Sequence, residues 1–378
     1  MANNKKCCEG KDPARLNKVG GQAVLEGVMM KAGTRTVTTC RKDDGTLTVK
    51  DGKFISVRTK HKFLNIPILR GIVNLVEMLL LSYKTLGFSA EALGLDEEVN
   101  KKPKKEGAKE KKSSTTDIVM IIGMVLGVLL AVGLFIVLPG LVSDLVEWIF
   151  SAAWGIGIHA VVKAIIEGAA KVGIFIAYLA LVSLMPDIKR TFMYHGAEHK
   201  SIACFESGAD LTPENARNYT RFHPRCGTSF MFVMILLGVV VGIFVNLAFG
   251  DMNRLVLSGI RLLILPIVVG LGYEFIMFAG KHDNVVTRAL SAPGLWMQRL
   301  TTKEPTDDML EVAIISIKCA LRDDFPEFRE FYENREWEPK VEEISDEENT
   351  EATEATDEAA EVSDAEVPAT ESADDEAV

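Results

Sequence analysis

Residues 118–138 read IVMIIGMVLGVLLAVGLFIVL, a run without a single charge. At about 1.5 Å per residue, a helix of that length spans a hydrocarbon core of about 30 Å. Residues 228–249 (TSFMFVMILLGVVVGIFVNLAF) repeat the signal, and residues 262–280 (LLILPIVVGLGYEFIMFAG) do so with one acid, Glu274, and one kinking Pro266. A fourth run is weaker. Residues 172–185 are uncharged, and the apolar pattern extends back through Lys171 and Glu167. That pair has Glu-then-Lys i,i+4 spacing and can neutralise itself, while the lysine stem can snorkel. One such run reads as well for a buried core helix; three in one chain do not. The expected fold class is mainly α: a polytopic helical membrane protein with about four transmembrane helices, a small β-rich N-terminal cytoplasmic element and a disordered acidic C-terminal tail.

The charge pattern orients that bundle. The 378 residues carry a net charge of -10 and are 48% hydrophobic. This apolar fraction excludes a mostly disordered chain, and six cysteines exclude a disulfide scaffold. The acidity is local: residues 341–378 hold 16 Asp/Glu and no Lys or Arg, and removing them leaves +6 on 1–340. Residues 99–112 hold seven Lys, 140–164 only Lys163, 186–227 six Lys/Arg, and 250–261 Arg254 and Arg261. The positive-inside rule then predicts both termini and loop 186–227 on the cytoplasmic side. Trp148 and Trp154 fall in the outer loop, as an interfacial aromatic belt requires. The polar N-terminus has no apolar core of a signal peptide, so Cys7 and Cys8 do not read as a lipoprotein site, and the thiols are expected reduced.

The remaining segments divide as follows. Residues 1–18 read as a flexible N-terminus and 19–62 as the β-rich element. Within it, TRTVTTC, TLTVK and KFISVRTK alternate around Asp44-Gly45 and Asp51-Gly52, two hairpin-turn dipeptides. Gly20, Gly21 and Gly27 precede them and suggest tight turns or close backbone approach; no phosphate-binding pattern accompanies them. Residues 63–98 hold an amphipathic helix whose Arg70, Asn74, Glu77 and Lys84 share a stripe, placing it at the interface or against the bundle. A basic linker (99–116), two spans with an outer loop (117–185), a cytoplasmic loop (186–227) and two more spans (228–281) follow. A C-terminal cytoplasmic segment (282–340) contains a short helix after a Thr306 N-cap. The tail 341–378 cannot bury enough apolar surface to order.

Chemistry concentrates in residues 194–228, which hold three of the six histidines. His195 and His199 are i,i+4 neighbours on one helical face with Glu198 beside them. This HxxEH order matches the inverted zinc-peptidase motif, in which two histidines bind metal and the glutamate is base. His223 and Cys226 in HPRCG are the candidate third ligands. Glu206 lies about 16 Å along an unbroken helix from His195 and qualifies only if the helix ends early. Glu274 and His282, at the inner end of the last span, are further options. Each has a structural alternative: a polar cluster docking the loop for the HxxEH residues, and an ion pair with Arg190 or Lys281 for Glu274. His61 and His159 read as surface residues.

At these residues the sequence resembles the YqhQ-like family of bacterial membrane proteins. The strings that carry the resemblance are GGQAVLEGVMM (20–30), LRGIVNLVE (69–77), YHGAEHK (194–200), ENARNYTRFHPRCGTSF (214–230), YEFI (273–276) and APGLWMQRLTTKEPTDDMLEVAI (292–314). The resemblance covers roughly 19–325. It implies a multi-pass protein of the bacterial plasma membrane. The label often given to that family, predicted metal-dependent enzyme, carries over onto His195, Glu198, His199, His223 and Cys226. The inverted zinc peptidases themselves have repeated halves, and no internal repeat exists here, so peptidase activity is not expected.

Three functions follow as expectations. The first is a divalent-metal-dependent membrane enzyme, hydrolytic, with zinc as the expected metal and Glu198 as general base. The second is a non-enzymatic accessory or scaffold of a membrane complex, in protein biogenesis or transport. The third, a transporter built around Glu274 and the Glu167/Lys171 pair, has little room within four spans. The lipid bilayer is the expected partner, and no specific nucleic acid is.

Overall fold

The computed structural model describes residues 12–94, 114–155, 157–249, 252–279, 285–328 and 335–337. Cys7, Cys8, the lysines of 99–112, Lys281, His282 and the 341–378 tail lie outside the described residues.

Four antiparallel strands pair in chain order, β1 (Val19–Val24), β2 (Gly27–Ala32), β3 (Arg35–Arg41) and β4 (Leu47–Lys53), and a short β5 (Arg335–Trp337) adds to β4. The glycine-rich stretch, expected as tight turns or close backbone approach ahead of the sheet, is its first hairpin. The glycines are required there: a Cβ on Gly21 would stand 2.6 Å from Met29 O, and one on Gly27 2.2 Å from Thr39 O. The hairpin turn puts Glu26 in the left-handed region, at φ 47°. Asp44-Gly45 is a turn as expected, with Gly45 at φ 85° and Thr46 N donating to Asp44 Oδ1 at 2.9 Å. Asp51-Gly52, expected as a second turn, instead lies inside β4, and KFISVRTK is not a strand. The buried Glu77 carboxylate accepts from Val57 N at 2.6 Å and from Ser56 Oγ. That draws the chain off the sheet into the short α1 (Val57–Lys60).

The longer helices follow: α2 (Leu69–Ala92), α3 (Ser114–Val132), α4 (Leu138–Trp154), α5 (Ala160–Val182), α6 (Pro186–Glu206), α7 (Pro213–Arg217), α8 (Gly227–Phe249), α9 (Arg254–Ala279), α10 (Val285–Thr301) and α11 (Asp307–Ala320). A π-helical turn, Gly133–Val137, joins α3 to α4. Among the described residues five helical stretches are long and apolar enough to cross a membrane: α2, Ile122–Trp154, α5, α8 and α9. Trp148 and Trp154 are exposed near the C-terminal end of α4.

The sheet, α6 and α11 share one hydrophobic core. Val28, Met30, Val37, Leu47 and Val49 from the strands pack with Tyr194, Ala197 and Phe205 of α6 and with Leu310, Ile314 and Ile317 of α11. Ser316, fully buried on α11, donates to Val28 O at 3.1 Å and Val37 O at 2.9 Å. Asp307 and Asp308 occupy the first turn of α11, as expected, but Thr306 caps it without a side-chain hydrogen bond. Three stretches far apart in sequence thus form one body, and all three lie on one side of any bilayer the bundle crosses.

An even number of crossings must therefore separate β4 from α6. Ile122–Trp154 and α5 supply two. The remaining helix before α6, α2, is itself long and apolar enough to cross, and the even count is met if it lies along the interface. Its polar side is tied down: Gln22 Nε2 donates to Thr85 Oγ1, Ser82 Oγ donates to Gln22 Oε1 at 2.6 Å, and Phe88 packs with Val24 and Cys40. Val76, Leu79, Leu80, Tyr83 and Leu86 are exposed on its other side.

Charges inside the bundle pair across helices. Glu274 takes Arg70 as a partner, with Arg70 Nε donating to Oε1 at 2.6 Å; Arg190, one of its expected partners, pairs with Glu26, and Lys281, the other, lies outside the described residues. Glu167 binds Arg261 of α9 through both carboxylate oxygens, rather than being neutralised by Lys171 alone. A guanidinium fork satisfies both oxygens of a carboxylate, which a lysine on the same helix does not.

Two outcomes test this architecture. Single cysteines at Thr34 and Lys105 should label from the same membrane face; labelling from opposite faces would mean that α2 crosses. Gly196→Ala places a Cβ 2.1 Å from Lys303 O. It should lower stability by roughly 1–3 kcal/mol, seen as a lower thermal midpoint in detergent. Gly20→Ala, which meets nothing within 4 Å, should stay within about 0.5 kcal/mol.

Candidate metal centre

Helix α6 starts at Pro186, whose missing N–H suits a first helical position, and stops before Gly208 at φ 83°. One face of the helix is committed to the sheet core. On an adjacent face His195 and His199 stand one turn apart, ring centroids 4.4 Å from each other. Gly196, between them, lets the α10–α11 connection approach, and Lys303 N donates to Phe192 O at 2.8 Å.

That connection and the 218–226 loop fix the two rings. His195 Nδ1 lies 2.9 Å from Thr301 O, and His199 Nδ1 lies 2.6 Å from Arg221 O. A carbonyl can only accept, so each Nδ1 donates to it, and in the neutral form of such a ring the lone pair is on Nε2. Cys226, just ahead of α8, places Sγ 3.2 Å from His195 Nε2. One donor atom from each of His195, His199 and Cys226 lies within 4.8 Å of the others. His199 is buried, while His195 and Cys226 are half-buried, so the cluster is reachable from their side.

These residues fit a divalent metal. Two imidazole nitrogens and a thiolate form a donor set that zinc takes, with bonds of about 2.0–2.3 Å. Backbone carbonyls holding the far ring nitrogens are the usual outer partners of histidine ligands. Three protein ligands leave the fourth tetrahedral position open. The same geometry also sets a thiol against an imidazole whose other nitrogen is oriented, the arrangement of a cysteine nucleophile and its base.

The other expected residues are placed differently. His223 is near His199, with centroids 5.5 Å apart, but its Nε2 faces Glu206 Oε2 at 3.9 Å and Arg225 Nη2 at 3.4 Å. Burial pushes its pKa down to about 4. Glu206 is buried at the last turn of α6, paired with Arg225 and accepting from Asn17 N, away from the donor cluster. Desolvation raises its pKa, but hydrogen bonding to His223 and the Arg225 charge prevail and hold it at about 2. Glu198 packs against β1, 3.2 Å from where a Gly21 Cβ would stand. Burial pushes its carboxyl up to about 7 against the pull of His195 and the Gly21 N–H, and Oε2 has no partner. Glu274 is held by Arg70, and His282 is outside the described residues.

Gln298 is a support that sequence reasoning missed. Fully buried on α10, it accepts from His223 N at 2.7 Å and donates to His223 O at 2.7 Å, clamping the HPRCG loop. A glutamine among the apolar residues of GLWMQRL was its only signal. Buried Lys200 adds a second brace, donating to Arg217 O at 2.9 Å and pairing with Glu304 at 3.1 Å.

A family model described as "Protein of unknown function (DUF1385)" matches residues 66–323. The chain is 37% identical over 312 residues to "Uncharacterized protein YqhQ" of Bacillus subtilis (strain 168), covering 80% of this chain and 92% of that one. No solved structure matches.

Glu206 gives the site a pH signature. Its pKa falls from the ordinary 4.5 to about 2 on folding, so its contribution is present above about pH 4.5 and is lost as pH falls towards about 2. Glu206→Gln should flatten that acid limb in a thermal-midpoint profile against pH. An unchanged limb would assign the acid sensitivity to other groups.

Proposed function

The chain belongs to the DUF1385 family, and from the donor cluster we propose that it is a membrane protein with a divalent-metal centre, zinc in the first instance, serving hydrolytic chemistry. The supporting observation is the convergence of one donor atom each from His195, His199 and Cys226, with the Nδ1 of both histidines against backbone carbonyls. A bound ion would supply Lewis acidity and a water of lowered pKa. His195, His199 and Cys226 would hold it. Glu198, at about 7 and with one oxygen unpartnered, can take or give a proton near neutral pH. The Arg221 and Thr301 carbonyls orient the rings, and Gln298 holds the loop that carries Cys226. The Lys/Arg distribution supports placing this site on the cytoplasmic face of the plasma membrane, with both termini on that side.

The 3.2 Å contact between Cys226 and His195 favours a second reading, a thiol nucleophile with His195 as its base. Thr228 N also points to the sulfur, at 3.5 Å.

Metal analysis of the full chain, purified in mild detergent without chelator, separates the two. Stoichiometric zinc, iron or manganese that disappears in His195→Ala, His199→Ala and Cys226→Ser supports the metal centre. Cys226, followed by peptide mapping, should then alkylate slowly until a chelator is added. Absence of metal from wild type, with fast alkylation indifferent to chelator and slowed in His195→Ala, would replace it with the thiol reading.

A further inference from the structure

Between the sheet and α2 the chain carries charges and apolar side chains that the fold leaves unused. No Asp or Glu occurs between Asp51 and Glu77. Asp51 is paired with Arg322, and the Glu77 carboxylate accepts from Ser56 Oγ and Val57 N. Lys60 and Lys62 are exposed and have no acidic partner among the described residues. Phe63, on a 3₁₀ turn over Lys62–Asn65, and Ile66 just after it are each more than half exposed. The Cα atoms of Lys60, Lys62 and Ile66 are all within three residues of Phe63, hence at most about 11 Å from its own. Unpaired ammonium groups beside an open aromatic and an open aliphatic side chain are the make-up of a surface that enters the edge of a bilayer.

The fold fixes where this segment sits. Pro67 holds Ile66 extended, at φ -73° and ψ 151°. Ile68 follows at φ 69° and ψ -56°, with Leu69 N donating to Pro67 O at 2.8 Å, a γ-turn that a β-branched residue rarely adopts. Contact with α9 holds the turn. A Cβ on Gly270 would stand 2.6 Å from Ile68 O, and Ile68 N donates to Glu274 Oε1 at 3.3 Å. Gly270 lies five residues, about 7–8 Å, inside the end of Leu255–Phe275, the stretch of α9 long and apolar enough to cross. Ile66 and Phe63 are thus tethered within about 7 and 17 Å of that point, in reach of the boundary between hydrocarbon and headgroups. We propose that residues 60–66 bind the headgroups of anionic phospholipids in the leaflet on the side of the sheet. Phe63 and Ile66 enter between the acyl chains, and Lys60 and Lys62 pair with the lipid phosphates. A zwitterionic lipid offers the same apolar contact but no net negative charge for the two ammonium groups. A nucleic acid offers the charge but no place for Phe63.

The test uses the full chain carrying Phe63→Trp, reconstituted into vesicles of phosphatidylcholine and phosphatidylglycerol. One lipid at a time is brominated on its upper acyl chain. Quenching beyond that of wild type, whose four tryptophans lie elsewhere, reads lipid contact at this position. The added indole should be quenched by both lipids, and about fivefold more effectively by phosphatidylglycerol at equal mole fraction, the order of one lysine at an anionic surface. Lys60→Gln with Lys62→Gln, both at exposed positions, should bring that ratio close to one while the thermal midpoint stays unchanged. Salt at about 1 M should shrink the ratio in the same way. The proposal is overturned if neither lipid quenches the indole, if both quench it equally, or if the double variant keeps the preference. An indole silent to both lipids but responsive to a short oligonucleotide would assign the surface to nucleic acid instead.

Discussion

Helix α6 must satisfy two neighbours at once, and most of the molecule follows from that constraint. Tyr194, Ala197 and Phe205 are sealed against the sheet and α11. Because a helix presents positions four apart on one line, burying that face turns His195 and His199 towards the α10–α11 connection and the HPRCG loop. Those two segments supply the carbonyls that set the rings. The helix cannot rotate to relax the site without tearing side chains out of the core. The geometry of the cluster is therefore held by hydrophobic packing rather than by the polar contacts within it.

In the membrane the governing effect is different. Within an apolar slab an unpaired charge is unfavourable, and each ionised group inside the bundle for which the structure shows a partner finds it on another helix: Arg70 with Glu274, Arg261 with Glu167. These pairs stitch α2 to α9 and α5 to α9, where apolar packing against lipid-like neighbours offers little preference of its own. The soluble core then decides which helices cross, because the strands and α6 must end on the same side.

Much of this was legible in the sequence. The apolar runs marked four of the five stretches long and apolar enough to cross, α2 being the one left out, and i,i+4 spacing put two histidines on one face. The limits have physical causes. Cys226 and His223 stood as equal third ligands because nothing local says how a nine-residue loop folds back; the buried clamp of Gln298, 75 residues away, decides it. The Asp51-Gly52 turn failed because Glu77, twenty residues on, captures Ser56 and Val57. The Glu167 partner was misjudged because a neighbour-based rule favours Lys171, whereas the bidentate fork of Arg261 lies 94 residues away. The carbonyls behind His195 and His199 carry no side-chain signature at all.

The long sequence separation of these contacts sets an order of assembly during synthesis. The sheet emerges first, but its buried face waits for α6 and finally for α11, whose Ser316 is 279 residues beyond Val37 and 288 beyond Val28. The His195 ring is likewise unsupported until Thr301 has been made, 106 residues downstream. Both sheet and site can close only after α8 and α9 have been threaded into the bilayer. A nascent chain stalled before the last span would leave its apolar strands open and its histidines loose. Insertion of the final helices is thus the step that licenses the rest of the protein to fold.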